Sequence, residues 1–267
     1  PESFTSDGSF LLGETADTKG LFLGCGMNSI GVATGGGAGM ALAYCIQNGS
    51  TPKDLNEADP KRFADCFNSV EALANRVPEV LGKHYEISFP GRQWKSSRSL
   101  RNLPLQKQWT KSKAQYGQFY GWGRPLYFNS SGDPSLTFGK PSWYEQVGKE
   151  VNQTNKDAAI FDQSTFGKIE VEGKDACKFL NKMCANQMNC LPGKVIYTSM
   201  LNKLGCIESD LTAIRLSENH YRLYVGTTSV RRDMSWLLRN LEDENVKLSD
   251  RTEDFAVIGL MGPNTLK

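Results

Sequence analysis

The stretch Gly193–Leu216, GKVIYTSMLNKLGCIESDLTAIRL, decides how this chain is to be read. It opens on a β-rich run, Val195-Ile196-Tyr197-Thr198, breaks at Asn202-Lys203-Leu204-Gly205 and resumes in the alternating run Leu211–Leu216. Two β-branched, alternating runs around a short Asn/Gly break predict a hairpin. Asp210 stands at the start of the second strand. Spacing alone leaves two roles open for it: a carboxylate that caps the turn, as Asp often does, or one that faces a cleft.

Working outward, Ile160–Asp162 and Gly167–Val171 predict strands and Lys174–Met183 a helix. A second hairpin joins Leu211–Leu216 to Tyr221–Val225, and Trp143–Val151 predicts a helix. Val230–Leu241 predicts an amphipathic helix with Met234, Leu237, Leu238 and Leu241 on one face. Towards the N-terminus, Leu21-Phe22-Leu23 reads as a buried strand. Gly24-Cys25-Gly26-Met27-Asn28-Ser29-Ile30-Gly31 and Gly35-Gly36-Gly37-Ala38-Gly39 follow it, then a helical run from Met40 to Gln47. Glycines between a strand and a helix leave backbone N–H groups unobstructed near a helix N-terminus, which suits a flat, electron-rich ligand. A flexible glycine linker is the alternative, although an apolar strand followed by a helix is unlike a linker. The pattern is no dinucleotide fingerprint, because Ser29 stands where G-x-G-x-x-G needs its third glycine.

Between these parts the composition shifts. Pro60–Asn75 predicts a helix through Phe63, Phe67, Val70 and Leu73, and His84–Phe89 alternates like a strand. From Arg92 to Lys113 there are seven Lys/Arg residues and no acid, with Trp94 and Trp109 among them. That stretch could be a nucleic-acid surface, but a solvated connector whose tryptophans pack inward is the plainer expectation.

Bulk properties exclude several classes. The chain has 267 residues and a formal net charge of +2, so no global field points to nucleic acid or membrane. Seven cysteines without a C-x-x-C, and only His84 and His220, argue against a zinc site and fit reduced thiols. No run of about 18 apolar residues exists, so no spanning helix is expected. Pro1 follows no initiator Met and Gly262-Pro263 stands where a helix should start, so an internal piece of a longer protein is expected.

The pattern Y-T-x-M-L-N-x-x-G-x-x-x-S-D-L-T-x-x-R-L resembles the tetrahydrofolate-binding hairpin of the glycine-cleavage aminomethyltransferase and its relatives. Phe161–Lys168, with D-x-S-x-x-G-K, and Ala256–Pro263, an apolar strand before G-P, resemble two further motifs of that family in the right order. Gly121-Trp122-Gly123-Arg124-Pro125 resembles the start of the same domain. The resemblance implies that Asp210 is the catalytic carboxylate beside the folate and that Tyr197 lines the folate site.

The N-terminal run PESFTSDGSFLLGE (1–14), with G-L-F-L-G-C-G-x-N-S-x-G, resembles the last FAD-contacting segment of the sarcosine and dimethylglycine dehydrogenases. The resemblance implies FAD contacts at Gly26, Met27, Asn28, Ser29, Ile30 and Gly31. Neither His84 nor His220 matches that family's flavin-linking histidine. The implied fold class is α+β: the end of an FAD-dependent oxidoreductase domain (1–58), a small central domain (59–116) and the first part of an aminomethyltransferase-like folate-binding domain (117–267).

The implied parent is a flavoprotein of the mitochondrial matrix that oxidatively demethylates an N-methyl amino acid. It passes electrons to an acceptor flavoprotein and the one-carbon unit to tetrahydrofolate. Glu208–Thr212, E-S-D-L-T, favours the sarcosine type, because the dimethylglycine type departs at the Asp position. The rival is the non-catalytic regulatory subunit of pyruvate dehydrogenase phosphatase, which shares the architecture and works by protein contact. The basic stretch is further expected to help retain a polyglutamate tail, and the isolated piece to bind neither cofactor tightly.

Overall fold

In a computed structural model, which describes residues 2–128 and 136–267, two short strands open the chain. Strand β1 (Leu11–Glu14) pairs antiparallel with β2 (Phe22–Cys25), Leu12 opposite Gly24. Pro1, the first residue of the flavin-segment motif, lies outside the described residues. Helix α1 (Gly31–Asn48) starts nine residues ahead of the predicted Met40, running straight through Gly35–Gly39. It packs on the hairpin through Ala41 and Leu42. Gly24 makes that approach possible, because a Cβ there would stand 2.8 Å from Leu42 Cδ1. The expected burial of Leu21–Leu23 is not realised, for Leu21 is exposed and β2 only half-buried.

The predicted helix over 60–75 is replaced by short 3₁₀ turns, and helix α2 begins later, at Val70, and runs to Lys83. The cause is local capping. The Asp59 carboxylate accepts the Lys61 N–H, Phe63 is extended, and Ser69 Oγ accepts the Ala72 N–H to start the helix. No strand forms over 84–89, where Tyr85 and Ile87 are exposed and no neighbouring strand is available to pair.

Helix α3 (Gln106–Lys111) leads into a hairpin of β3 (Ala114–Phe119) and β4 (Trp122–Phe128). Its two-residue turn, Tyr120-Gly121, has φ of 55° and 82°, the pair of positive values that matches the strand twist.

The remainder is built around one antiparallel sheet. In chain order come α4 (Tyr144–Lys156), β5 (Ala159–Asp162), β6 (Gly167–Glu172), α5 (Ala176–Met183), β7 (Val195–Leu201), β8 (Ile207–Ser217), β9 (His220–Val225), α6 (Val230–Arg239), β10 (Lys247–Asp250) and β11 (Ile258–Met261). The sheet has the order β10-β6-β9-β8-β7, and β11 pairs separately with β5. The hairpins predicted at 195–216 and 211–225 both form.

The core lies on one face of this sheet. Ile169, Val171, Leu211, Ala213 and Leu223 pack there against Phe179 and Leu180 of α5 and Leu237 of α6. Each of the larger side chains, Ile, Val, Leu or Phe, contributes about 1.5–3 kcal/mol by leaving water.

One acid shares that core. Asp233 of α6 is 1% exposed and accepts hydrogen bonds from Ser209 Oγ at 2.8 Å and Ser229 Oγ at 2.7 Å. Burial dominates these bonds and pushes its pKa up to about 6. Between the unfolded value of 3.8 and this folded value, the native state keeps a proton that the unfolded chain has lost. The group's contribution therefore falls as pH rises through that window. Asp233→Asn, which can still accept both hydroxyls, should stabilise the protein by about 2 kcal/mol at pH 7.5 and by little at pH 4. Urea unfolding of the two proteins at both pH values checks this; a difference that does not grow with pH contradicts it.

Candidate functional site

Strand β8 turns Ser209, Leu211, Ala213 and Arg215 into the core, and the period of two places Asp210, Thr212 and Ile214 on the opposite face. On β7, Met200 and Thr198 face inward, and Tyr197 and Ser199 share the face of Asp210. The register sets Ser199 opposite Asp210 and Tyr197 opposite Thr212. Tyr197 therefore reaches Asp210 diagonally, and its Oη donates to Asp210 Oδ2 at 3.0 Å. The hydrogen bond to that carboxylate, followed by its charge, raises the phenol pKa of Tyr197. No other described side chain occupies Asp210 Oδ1.

The two halves of this sheet face differ. Over β6 and β9 it is covered by the segment after β10. Arg222 bonds Glu170 at 2.6 Å and lies 4.0 Å over the Phe255 ring, while His220 Nε2 meets the same carboxylate at 2.5 Å. Over β7 and β8 it is open: Asp210 is exposed and Tyr197 is 67% exposed. The described residues thus build no cleft around Asp210. A cavity of about 530 Å³, lined by Arg62, Arg76, Trp94 and Tyr120 among others, contains neither Asp210 nor Tyr197.

The D-x-S-x-x-G-K motif turns out to be scaffold. Asp162 takes the Ser164 N–H at 2.9 Å on one oxygen and Trp109 Nε1–H at 2.5 Å on the other. Ser164 Oγ accepts the Val257 N–H at 3.1 Å, tying in the approach to β11. At Gly167 an added Cβ would lie 2.5 Å from both Val225 Cγ2 and Val230 Cγ2. Lys168 is fully buried and donates to the carbonyls of Ser164 at 2.7 Å and Thr252 at 2.8 Å; burial pushes its pKa down to about 8. Sequence reasoning quoted Lys168 without giving it a role, and nothing local distinguishes a buried lysine from a surface one.

Trp109 packs inward as the connector expectation requires. Arg101 of the basic stretch is engaged too, lying 4.0 Å over the Trp122 ring and pairing with Glu253 at 2.8 Å. It is therefore poorly placed to hold an anionic tail.

At the other end of the chain, Gly26–Gly31 forms one tight turn at the N-terminus of α1. Gly26, Asn28 and Ser29 have φ of 65°, 47° and 70°. The turn is held from within: Asn28 Oδ1 accepts the Thr5 N–H at 3.0 Å, and Asn28 Nδ2 donates to the Gly26 carbonyl at 2.6 Å. Asn28, 1% exposed, is thereby committed to the loop, and its backbone N–H is taken as well, by the Ser3 carbonyl at 3.0 Å. Ser29 and Ile30 are exposed, Met27 is half-buried, and the helix start has neither a side-chain cap nor an acid in its first turn. Uncapped N–H groups with the positive end of a helix dipole behind them fit the electron-rich edge of a flavin. No hydrogen bond or ion pair joins this loop to the Tyr197–Asp210 face among the described residues.

Among the described residues, no three His, Cys, Asp or Glu are grouped to hold a metal ion. No helix of the described chain is long and apolar enough to cross a membrane, and all seven cysteines are unpaired.

An antiparallel sheet backed by α5 and α6, with the Y-T…S-D-L-T hairpin at its open edge, is matched by the family model for the GCVT N-terminal domain over residues 105–267. The chain belongs to that family. Ahead of it, residues 48–102 match the central domain of FAD dependent oxidoreductases. Similarity to the sarcosine and dimethylglycine dehydrogenases extends over most of the chain. The human mitochondrial sarcosine dehydrogenase is 30% identical over 98% of this chain and 33% of its own length. Human mitochondrial dimethylglycine dehydrogenase is 28% identical over 89% of this chain and 28% of its own.

The mouse mitochondrial pyruvate dehydrogenase phosphatase regulatory subunit matches as well, 31% identical over 100% of this chain and 31% of its own length. The chain thus spans about a third of the length of these relatives. Among solved structures, the glycine cleavage system aminomethyltransferase T from Bartonella henselae aligns with a TM-score of 0.50 and 26% identity. That alignment covers 62% of this chain and 42% of the other. The fold is thus α+β, with oxidoreductase and aminomethyltransferase-like parts in the expected order.

Proposed function

We propose that this chain is part of a mitochondrial matrix flavoprotein that oxidatively demethylates an N-methyl amino acid, sarcosine in preference to dimethylglycine, and delivers the carbon to tetrahydrofolate. The observation that carries this is the Tyr197–Asp210 hydrogen bond on the open half of the sheet face, within a GCVT N-terminal domain. An exposed phenol ring offers a flat apolar surface, and the neighbouring carboxylate an acceptor, so both suit a pterin. The Gly26–Gly31 turn suits FAD. The division at 58/59 and 116/117, an acceptor flavoprotein and the matrix location belong to the same proposal.

When bound, tetrahydrofolate supplies the nucleophilic nitrogen that takes up the one-carbon unit. The part of this chain is proton management. Tyr197 fixes Asp210 through Oδ2 and leaves Oδ1 to accept a proton or to hold developing positive charge. The backbone N–H groups at the start of α1 orient and stabilise electron density on the flavin side.

In the full-length protein, Asp210→Asn should lower formation of the folate-bound product about 100-fold or more, and formaldehyde should be released in its place. Amine-dependent bleaching of the flavin should keep its wild-type rate. Unchanged folate product in the variant would remove Asp210 from the chemistry. If the wild-type protein shows no amine-dependent bleaching with either amine, the regulatory role is favoured instead, a reading supported by the match of the phosphatase subunit to the whole of this chain.

A further inference from the structure

Strand β8 is unevenly supported at the end that carries Asp210. Its pairing with β9 begins only at Leu211, opposite Val225, so residues 207–210 have β7 alone paired to them among the described residues. The register with β7 is interrupted there as well. Met200 stands opposite Ser209 but Leu201 opposite Ile207, which leaves Glu208 as the extra residue of a bulge directly before the Ser209–Asp210 step. Bulges bend a strand and re-aim the side chains next to them. A one-residue shift at this point would exchange the faces of Ser209 and Asp210 and carry the carboxylate into the core.

From beneath the sheet, Asp233 holds this end. Ser209 is 6% exposed, and its Oγ donates to Asp233 Oδ2 at 2.8 Å. The same oxygen takes Ser229 Oγ at 2.7 Å, from the turn between β9 and α6, and the Asp233 N–H donates to the Ser229 carbonyl at 2.7 Å. One carboxylate thus joins the overhanging end of β8 to the turn after β9 and to the first turn of α6. A buried acid stabilises a fold poorly, and an asparagine here would serve the fold better. A residue that stability alone would not select points to a use at a site.

We propose that Asp233 is a positioning residue for Asp210: through Ser209 Oγ it holds the bulged end of β8 so that the Asp210 carboxylate stays on the open face within reach of Tyr197. Its bearing on catalysis rests on the reading of Asp210 as the folate-side carboxylate; the positioning itself does not.

The test uses the full-length protein and follows the Tyr197 phenol, whose pKa is raised by its bond to Asp210. Tyrosinate absorbance is titrated for each protein and for the same protein carrying Tyr197→Phe, and the difference isolates this one phenol. Ser209→Ala and Asp233→Leu should each lower its pKa towards the ordinary tyrosine value of about 10. Asp233→Asn, which still accepts both hydroxyls, should keep it raised. Formation of the folate-bound product should fall about tenfold in Ser209→Ala and Asp233→Leu and be rescued in Asp233→Asn, with amine-dependent flavin bleaching unchanged throughout. A Tyr197 phenol that stays raised in Ser209→Ala overturns the proposal, as does an Asp233→Asn protein that loses the shift just as Asp233→Leu does. Ser209→Ala removes a single hydroxyl, so the outcome does not depend on the folding of Asp233→Leu. If the phenol follows these variants while Asp210→Asn leaves the folate product unchanged, the positioning stands and the catalytic reading of Asp210 falls.

Discussion

Gly173→Ala should abolish the folded state of the sheet domain. Gly173 closes β6 with φ of +143°, and a Cβ there would lie 2.0 Å from the Asn245 carbonyl oxygen and 3.0 Å from Val246 Cα. Both obstacles are backbone, and both belong to the segment entering β10, whose register with β6 places Lys247 beside Glu172. Neither can move without unpairing that edge strand or breaking the Gly173 N–H bond to the Asn219 carbonyl at 2.9 Å. Positional strain combined with a backbone clash belongs to the small class of substitutions that cost more than about 4 kcal/mol. Circular dichroism and urea unfolding would show it as loss of the cooperative transition or a large fall in its midpoint. A variant within about 1 kcal/mol of wild type would mean that the turn after β6 is not built as described.

Arg76→Leu should destabilise the N-terminal half almost as severely. Arg76 is 2% exposed, and its guanidinium is the meeting point of three segments. It bonds the Ser6 carbonyl at 3.3 Å, the Ser96 carbonyl at 2.5 Å and Gln118 Oε1 at 2.6 Å, with Trp94 5.3 Å beneath it. Leucine would fill part of the space but leave those acceptors without a donor. Together they cost about 3–5 kcal/mol. Arg76→Lys restores the charge without the fork and should recover only part of the loss. Limited proteolysis is the sensitive readout, since the strandless segment 84–100 is tied to α2 at Ser96 and Ser97, where Arg76 acts together with Glu79. Wild-type protease resistance in Arg76→Leu would show that the segment is held by other means.

How far the sequence disclosed this molecule depended on the range of the forces involved. The β7–β8–β9 meander was legible because alternation is a local pattern, and one buried face enforces it residue by residue. The amphipathic run of α6 was legible for the same reason. The start of α1 was not, because a glycine cluster reads as a loop when helix propensity is taken alone. The 60–75 helix failed because Asp59 and Ser69 cap shorter pieces, and the 84–89 strand because alternation does not supply a partner to pair with. At the candidate site, motif resemblance singled out Tyr197 and Asp210, and the strand period places them on one face. Lys168 and Asp233 carried no such signal. Their character comes from burial by segments tens of residues away, which no short window of sequence contains.

Helix α6 has one more property of consequence. Its apolar side belongs to the sheet core, while Arg231 grips Asp17 and, at 2.8 Å, Asp65, and Arg239 grips Glu14. The N-terminal hairpin and the sheet domain are thus fastened by charge across α6 rather than by a shared apolar core. Such fastenings weaken as counterions accumulate, with a screening length that shrinks from about 10 Å at 0.1 M salt to about 3 Å at 1 M. A molecule joined in this way has a built-in ionic clutch: brine should let its two ends slip before either of them melts.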